Sequence, residues 1–192
     1  MYPDIRLILI NDEGLNDIIS EHFDAGVRWG NTLAEGMIAV RISGDEEMAL
    51  IGSPQYFNQS GVPKTIEELA QHSCLAYQFQ TGGVYEWDLQ QNGKPMKFTP
   101  QGQWTFGSDD SIIDAAKRGL GLGYVPLGLV RQEIAAGELV RVLKDASHTF
   151  TGFYLYYPHR NVSPALRCVI NVQFLDIAFF IGAGMLFVTE SV

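Results

Sequence analysis

Apolar positions along the chain fall into short runs whose period switches between two and about 3.6, the signature of strands alternating with helices. Residues 5–10 (Ile-Arg-Leu-Ile-Leu-Ile) are β-branched and apolar and stop at Asn11-Asp12, which predicts a buried strand. Leu15, Ile18, Ile19 and Phe23 have the spacing of a short amphipathic helix. Residues 25–30 (Ala-Gly-Val-Arg-Trp-Gly) predict a strand that stops at glycine. Residues 37–42 and 47–51 alternate apolar with polar or small side chains, so both predict strands, the second running into Gly52-Ser53-Pro54. A helix start is expected at Thr65, which can cap while Glu68, three residues on, returns the bond.

Residues 74–79 predict a strand, followed by a Gly82-Gly83 turn, a strand around Trp87, a hairpin turn at Asn92-Gly93 and a strand ending at Phe98. Ser108 or Asp109 caps a helix through Ile112, Ile113, Ala115, Ala116 and Leu120, closed by Gly119 or Gly121. Residues 122–125 predict a strand ended by Pro126, residues 128–136 a helix stopped by Gly137, and residues 139–143 and 153–157 two more strands. Pro164 suits the first turn of a last helix, to about residue 174. This alternation predicts an α/β architecture with open parallel sheets.

Composition narrows the function. Hydrophobic residues make up 46% of the 192 and charged residues 18%, which supports a folded core. The net charge of −9, with 13 Lys and Arg scattered along the chain, argues against a surface that grips nucleic acid, which needs clustered cations. Cys74 and Cys168 stand far apart without metal or disulfide-framework spacing and are expected to be free thiols in a reducing cytoplasm. The opening residues do not resemble a signal peptide. The apolar stretch 177–188 is about a dozen residues long, short of the roughly 20 that a membrane span needs.

Enzyme chemistry finds little support. No nucleophile-elbow, zincin or Walker sequence occurs. Gly119, Gly121 and Gly123 follow a helix instead of opening one, and Tyr124 stands where a dinucleotide loop has its next glycine or alanine. His22, His72, His148 and His159 lack metal spacing, so neither metal nor cofactor is expected. The aromatic run Phe150, Phe153, Tyr154, Tyr156 and Tyr157 fits core and hinge packing better than base stacking, given the acidic charge.

A binding role uses the same residues differently, because ligands of open α/β sheets sit where strand ends meet helix N-termini. Three segments qualify. Arg28-Trp29-Gly30 offers a fixed cation and a flat ring to an anionic or aromatic ligand, with lobe packing as the alternative role for Trp29. Phe106-Gly107-Ser108-Asp109 opens a helix whose free amides and Ser108 hydroxyl suit a carboxylate, with plain capping as the alternative. Tyr124-Val125-Pro126 ends a strand.

Six landmarks in order give the chain a family likeness: residues 23–30 (Phe-Asp-Ala-Gly-Val-Arg-Trp-Gly), 52–57 (Gly-Ser-Pro-Gln-Tyr-Phe), 61–65 with Leu69, His72 and Cys74, Ala115-Ala116 with 119–126, 137–143, and 154–158. From residue 2 to about 175 the sequence resembles the effector-binding domain of LysR-type transcription regulators. The resemblance implies a periplasmic-binding-protein-like fold of type 2: two Rossmann-like α/β lobes, crossed twice by the chain, with a ligand cleft between them. One lobe would hold residues 1–53 and 150–176, the other 54–149. It also implies a small organic, anionic effector, with Ser53 joining the three segments above as a contact. A homodimer or tetramer is implied, with dimer surfaces on the helices after Leu15 and Ile112. DNA would be reached only through a winged helix-turn-helix domain that this chain does not carry, and no membrane is involved. A periplasmic-type solute-binding protein shares the fold and is the alternative; a small hydrolase or transferase is a more distant one, since no nucleophile here has a visible activating partner.

The pattern departs from the family at the start, where a strand and helix normally precede Tyr2-Pro3-Asp4-Ile5. The usual hydroxyl-bearing contact after that strand is absent unless Thr189 or Ser191 stands in. The tail 177–192 contains Gly184-Met185-Leu186-Phe187-Val188-Thr189, whose apolar pattern matches the missing strand. Either the tail takes that strand's place in the sheet, as in a circular permutation, or it is an unrelated apolar extension.

Overall fold

A computed structural model describes residues 5–11, 23–29, 36–158, 162–171 and 185–191. The chain forms two compact units, residues 1–45 with 150–192 and residues 46–149. The helix expected from Leu15 to Phe23 falls largely outside the described residues, as do Gly30, the end of the last expected helix and residues 177–184.

In the first unit, β1 (Ile5–Asn11), β2 (Ala25–Trp29), β3 (Ile38–Arg41), β12 (Phe153–Tyr157) and β13 (Met185–Ser191) form one sheet in the order β1-β13-β2-β12-β3. Period-two alternation sorts the two faces. Ala25, Val27 and Trp29 share one face with Phe153, Leu155 and Tyr157, and Leu166 and Ile170 of helix α4 (Pro164–Asn171) pack into the same cluster. Gly26 and Arg28 share the other face with Tyr156, against which Phe23 and Met37 pack.

The described pairs of this sheet are antiparallel, which corrects the expectation of parallel sheets here. β12 is antiparallel to both β2 and β3, and β13 to both β1 and β2. The strands β1, β2 and β3 therefore do run parallel to one another, as their alternation with other segments predicts. They are never neighbours, because a strand from much later in the chain lies between each pair. The tail segment is one of those separators: Leu186 faces Gly26 on one side and Ile10 on the other.

The second unit is built on β4 (Glu46–Gly52), whose sheet includes β9 (Gly123–Pro126), β10 (Val140–Val142) and β11 (Thr149–Phe150). β4 is antiparallel to β9 and β10, with Leu50 opposite both Tyr124 and Val142. Ala49 and Ile51 point to helix α2 (Asp109–Lys117), whose Ile112, Ile113, Ala115 and Ala116 complete a buried cluster with Val125, Val130 and Leu139. Gly123 lets that helix close in, since a Cβ there would stand 2.7 Å from Ile112 Cγ2. Helix α1 (Pro54–Ser60) follows β4 directly.

Parallel pairing does occur between two short strands, β5 (Ala76–Tyr77) and β8 (Thr105–Phe106). The hairpin of β6 (Trp87–Gln91) and β7 (Lys94–Phe98) turns at Asn92 and Gly93, both at positive φ, as an Asn-Gly turn requires. The helix expected from Thr65 is a 3-10 turn over Glu67–Gln71. Thr65 Oγ1 accepts from Glu68 N at 3.4 Å, but the Glu68 carboxylate accepts from Lys64 N at 2.7 Å, one residue before the expected partner, and the turn is short. The helix expected over 128–136 is divided into a 3-10 turn, Leu127–Val130, and a short α3 (Arg131–Ala135) ending at Gly137, φ 74°. Among the described residues no helix is long and apolar enough to cross a membrane.

Candidate functional site

In the second unit the expected contacts gather where β8 runs into α2. Ser108 is the N-cap: its Oγ accepts from Ser111 N at 3.3 Å and donates to Ser111 Oγ at 2.9 Å. Asp109 lies in the first turn, where its charge meets the positive end of the helix dipole. Gly107 is exposed and Phe106 half-buried. Trp104, which the sequence reading passed over, stacks nearly parallel to Phe106, with ring centres 6.4 Å apart and planes 8° from each other. It is 46% exposed, and Phe79 is also exposed, linking Tyr77 (5.6 Å) to Tyr85 (6.0 Å). The signal for Trp104 was the aromatic alternation Trp104-Thr105-Phe106 just ahead of a helix cap. Here hydrogen-bonding helix-end amides stand next to accessible rings.

Other candidates are committed to the fold. Tyr124 is buried and stacks on Trp87 at 5.5 Å; its hydroxyl donates to the Asp88 carbonyl and accepts from His148 N at 3.4 Å. Burial holds its phenol far above the ordinary tyrosine range. Val125 is fully buried in the α2 cluster and Pro126 ends the strand. Ser53 is buried and caps α1, accepting from Tyr56 N at 3.2 Å. Its Oγ also lies 3.4 Å from where a Cβ on Gly119 would sit, so it meets the C-terminal end of α2, not the N-terminal end.

In the first unit, Arg28 is 7% exposed, and its Nε donates to the Tyr156 hydroxyl at 2.9 Å with the guanidinium 5.7 Å from that ring's centre. Trp29 stacks on Phe153 at 4.0 Å and meets Phe150 at 5.5 Å, so much of its ring is spent on packing.

Two polar networks of the second unit were not foreseen. Tyr56 Oη accepts from Ser73 N at 3.0 Å and shares a hydrogen bond with His72 Nδ1 at 3.1 Å. Burial lowers the His72 pKa below its ordinary value. Arg141 binds Glu47 through both terminal nitrogens and reaches Ser147 Oγ at 3.0 Å; that bond, then the Arg141 charge, pull the Glu47 carboxyl below its usual range against its partial burial. Cys74 is buried and its thiol pushed up to about 11, a protonated and unreactive group, while Cys168 is half-buried. Among the described residues no three potential metal ligands converge.

The first unit is thus an antiparallel-laced sheet packed on a helix, and the second carries a capped helix that follows a strand with exposed aromatic rings. The family model of the LysR substrate binding domain matches residues 1–173, and the chain belongs to that family. It is 38% identical over 172 residues to a putative transcriptional regulator of Pseudomonas aeruginosa, covering 88% of this chain and 56% of that one. It is 40% identical over 160 residues to the HTH-type transcriptional regulator PgrR of Escherichia coli K12, covering 83% and 54%. The chain thus spans about half the length of these curated relatives. Among solved structures, the regulatory domain of CrgA, a LysR-type transcriptional regulator from Neisseria meningitidis, superposes with a TM-score of 0.68 at 27% identity, covering 88% of this chain and 80% of that one. The fold is the type 2 periplasmic-binding-protein-like α/β fold of these regulatory domains.

Proposed function

We propose that this chain senses a small organic anion and, within a longer polypeptide, converts its binding into control of transcription. The two effector-binding lobes would be residues 1–53 with 150–176 and residues 54–149, which differ from the two compact units chiefly in assigning β4 to the first lobe. DNA would be contacted by a separate winged helix-turn-helix domain, and copies of the regulator would associate as dimers or tetramers. The family match supports the class; the single structural observation that carries the ligand chemistry is the β8–α2 junction. There the amides at the start of α2 suit a carboxylate, as does the Ser108 hydroxyl once its proton turns from Ser111 Oγ, and Trp104 and Phe106 suit an apolar or aromatic body. Asp109 limits how many negative charges the ligand can carry. Arg28 and Trp29 are retained as contacts from the first unit, with packing roles that any ligand role must share. The intact regulator would respond because the effector binds its alternative arrangements with different affinity. The cytoplasm is the compartment this role requires.

A thermal-shift screen against small carboxylates, amino acids and aromatic acids tests the reading. Ligand at about 100 times its dissociation constant adds roughly 2.7 kcal/mol to the native state. The shift should shrink in Trp104→Ala, which removes an exposed ring, and in Ser108→Ala, each measured against its own unliganded melt. A shift that both variants retain in full would move the site away from this junction.

A further inference from the structure

A second feature of the unit 46–149 lies outside the β8–α2 junction. Leu127, Arg131, Ile134, Ala135, Arg141 and Lys144 line a pocket of about 330 Å³. That volume lies at the lower end of small-molecule sites, which run from about 300 to 1,000 Å³. Its apolar members come from the 3-10 turn and α3, and Arg141 and Lys144 follow from β10 into the next turn. In a chain of net charge −9, three of its six lining residues are cations and none is an acid.

The three cations are not equivalent. Arg141 is the fixed one: its side chain is 10% exposed, and its terminal nitrogens are held by Glu47, Ser147 and the Met48 carbonyl. Its Nε is buried with no hydrogen-bond partner, so this guanidinium is left short of one acceptor. Arg131 and Lys144 are exposed, and among the described residues neither has a carboxylate within ion-pair distance. Both help to lower the Glu47 carboxyl pKa, after the larger effect of Arg141. Glu133 and Asp145, close in sequence, do not line the pocket. Glu47 is taken up by Arg141, and Glu46 is engaged with Gly128 N beside Leu127, which leaves Arg131 and Lys144 at the rim of an apolar floor.

We infer that this pocket is a binding site for an amphipathic carboxylate, separate from the β8–α2 junction. Its hydrocarbon body would lie on Leu127, Ile134 and Ala135 and its head would be held by Arg131 and Lys144. Inorganic anions lack the apolar body, and neutral amides lack the charge, so neither fills the site.

The test is amide NMR of the chain titrated with hexanoate, hexanamide and inorganic sulfate. Hexanoate moves the amides of Leu127, Ile134 and Lys144 saturably, and hexanamide and sulfate do not. Because Arg131 and Lys144 are exposed, the double variant Arg131→Ala/Lys144→Ala keeps a cooperative melt and weakens hexanoate about tenfold or more, the loss of charge-assisted contacts. The inference is overturned if hexanoate leaves these amides unmoved, if hexanamide or sulfate moves them as far, or if the double variant binds hexanoate undiminished. Movement confined to Gly107 and Ser108 would also overturn it, while leaving the junction reading in place.

Discussion

Arg28 and Tyr156 are locked together across β2 and β12: the arginine Nε donates to the tyrosine hydroxyl at 2.9 Å, and both side chains are buried. Gly26, on the same face, makes the room. A Cβ on Gly26 would stand 2.5 Å from the Tyr156 ring. Tyr156→Phe takes an acceptor from a buried guanidinium, and a stability loss of about 1–3 kcal/mol is expected. Gly26→Ala pushes the ring off its place and costs at least as much by overpacking. Urea unfolding followed by circular dichroism reads both; an unchanged midpoint in Gly26→Ala would show that the ring is not seated there.

His72 gives the protein a pH dependence with a definite sign. Its folded pKa lies below 6.5, so the unfolded state takes up the proton more readily. The stability it supports is complete above about pH 6.5 and is lost as pH falls through the lowered folded value. Melting temperature should therefore decline over that interval, and His72→Asn should flatten the decline. A slope that is the same in the variant would assign it to other groups.

Glu47 acts in a separate, more acidic window. Its folded pKa is below 4.5, so the stability it contributes is present above that value and is lost as pH falls through the folded one. Glu47→Gln should remove this acid-side loss and leave the His72 window untouched, as melts in acetate and in neutral buffer would reveal.

Tyr124 is expected to act through packing. Tyr124→Phe strands the Asp88 carbonyl and the His148 amide, at a cost of about 1–3 kcal/mol, while any ligand-induced thermal shift keeps its size. A shift abolished by loss of the hydroxyl alone would place this residue in contact with ligand.

Cys74, buried and with its thiol near 11, should resist alkylation in the native chain and react fully once urea unfolds it. Cys168, half-buried on α4, should label faster. Native-state mass spectrometry after brief labelling distinguishes the two sites.

Local chemistry was legible from residue order wherever a few neighbours decide the conformation. The Asn92-Gly93 turn, the Ser108 cap and the Gly137 stop all follow from backbone preferences that need no tertiary context. Strand direction in the sheets was not legible. Nothing local to residues 153–157 tells that they return between β2 and β3, so alternation was read as parallel neighbours. The fate of Tyr124 illustrates the same limit at the site. Its place at a strand end suggested exposure to ligand, but side-chain alternation turns it into the hairpin side of β9, where Trp87 and Asp88 occupy its ring and hydroxyl. Trp104 was missed for the opposite reason: its alternation with Phe106 ahead of the helix cap marks a shared face, but not that the ring is left exposed.

The place of β12 and β13 in the first sheet has a consequence for biosynthesis. Ile5 pairs with Ser191 and Val27 with Leu155, so β1 and β2 are translated well before the strands that complete their sheet. Residues 46–149 form one continuous stretch and face no such delay. During translation the second unit can therefore mature while β1 and β2 still carry unpaired edges, the state in which chaperone capture or aggregation is most competitive.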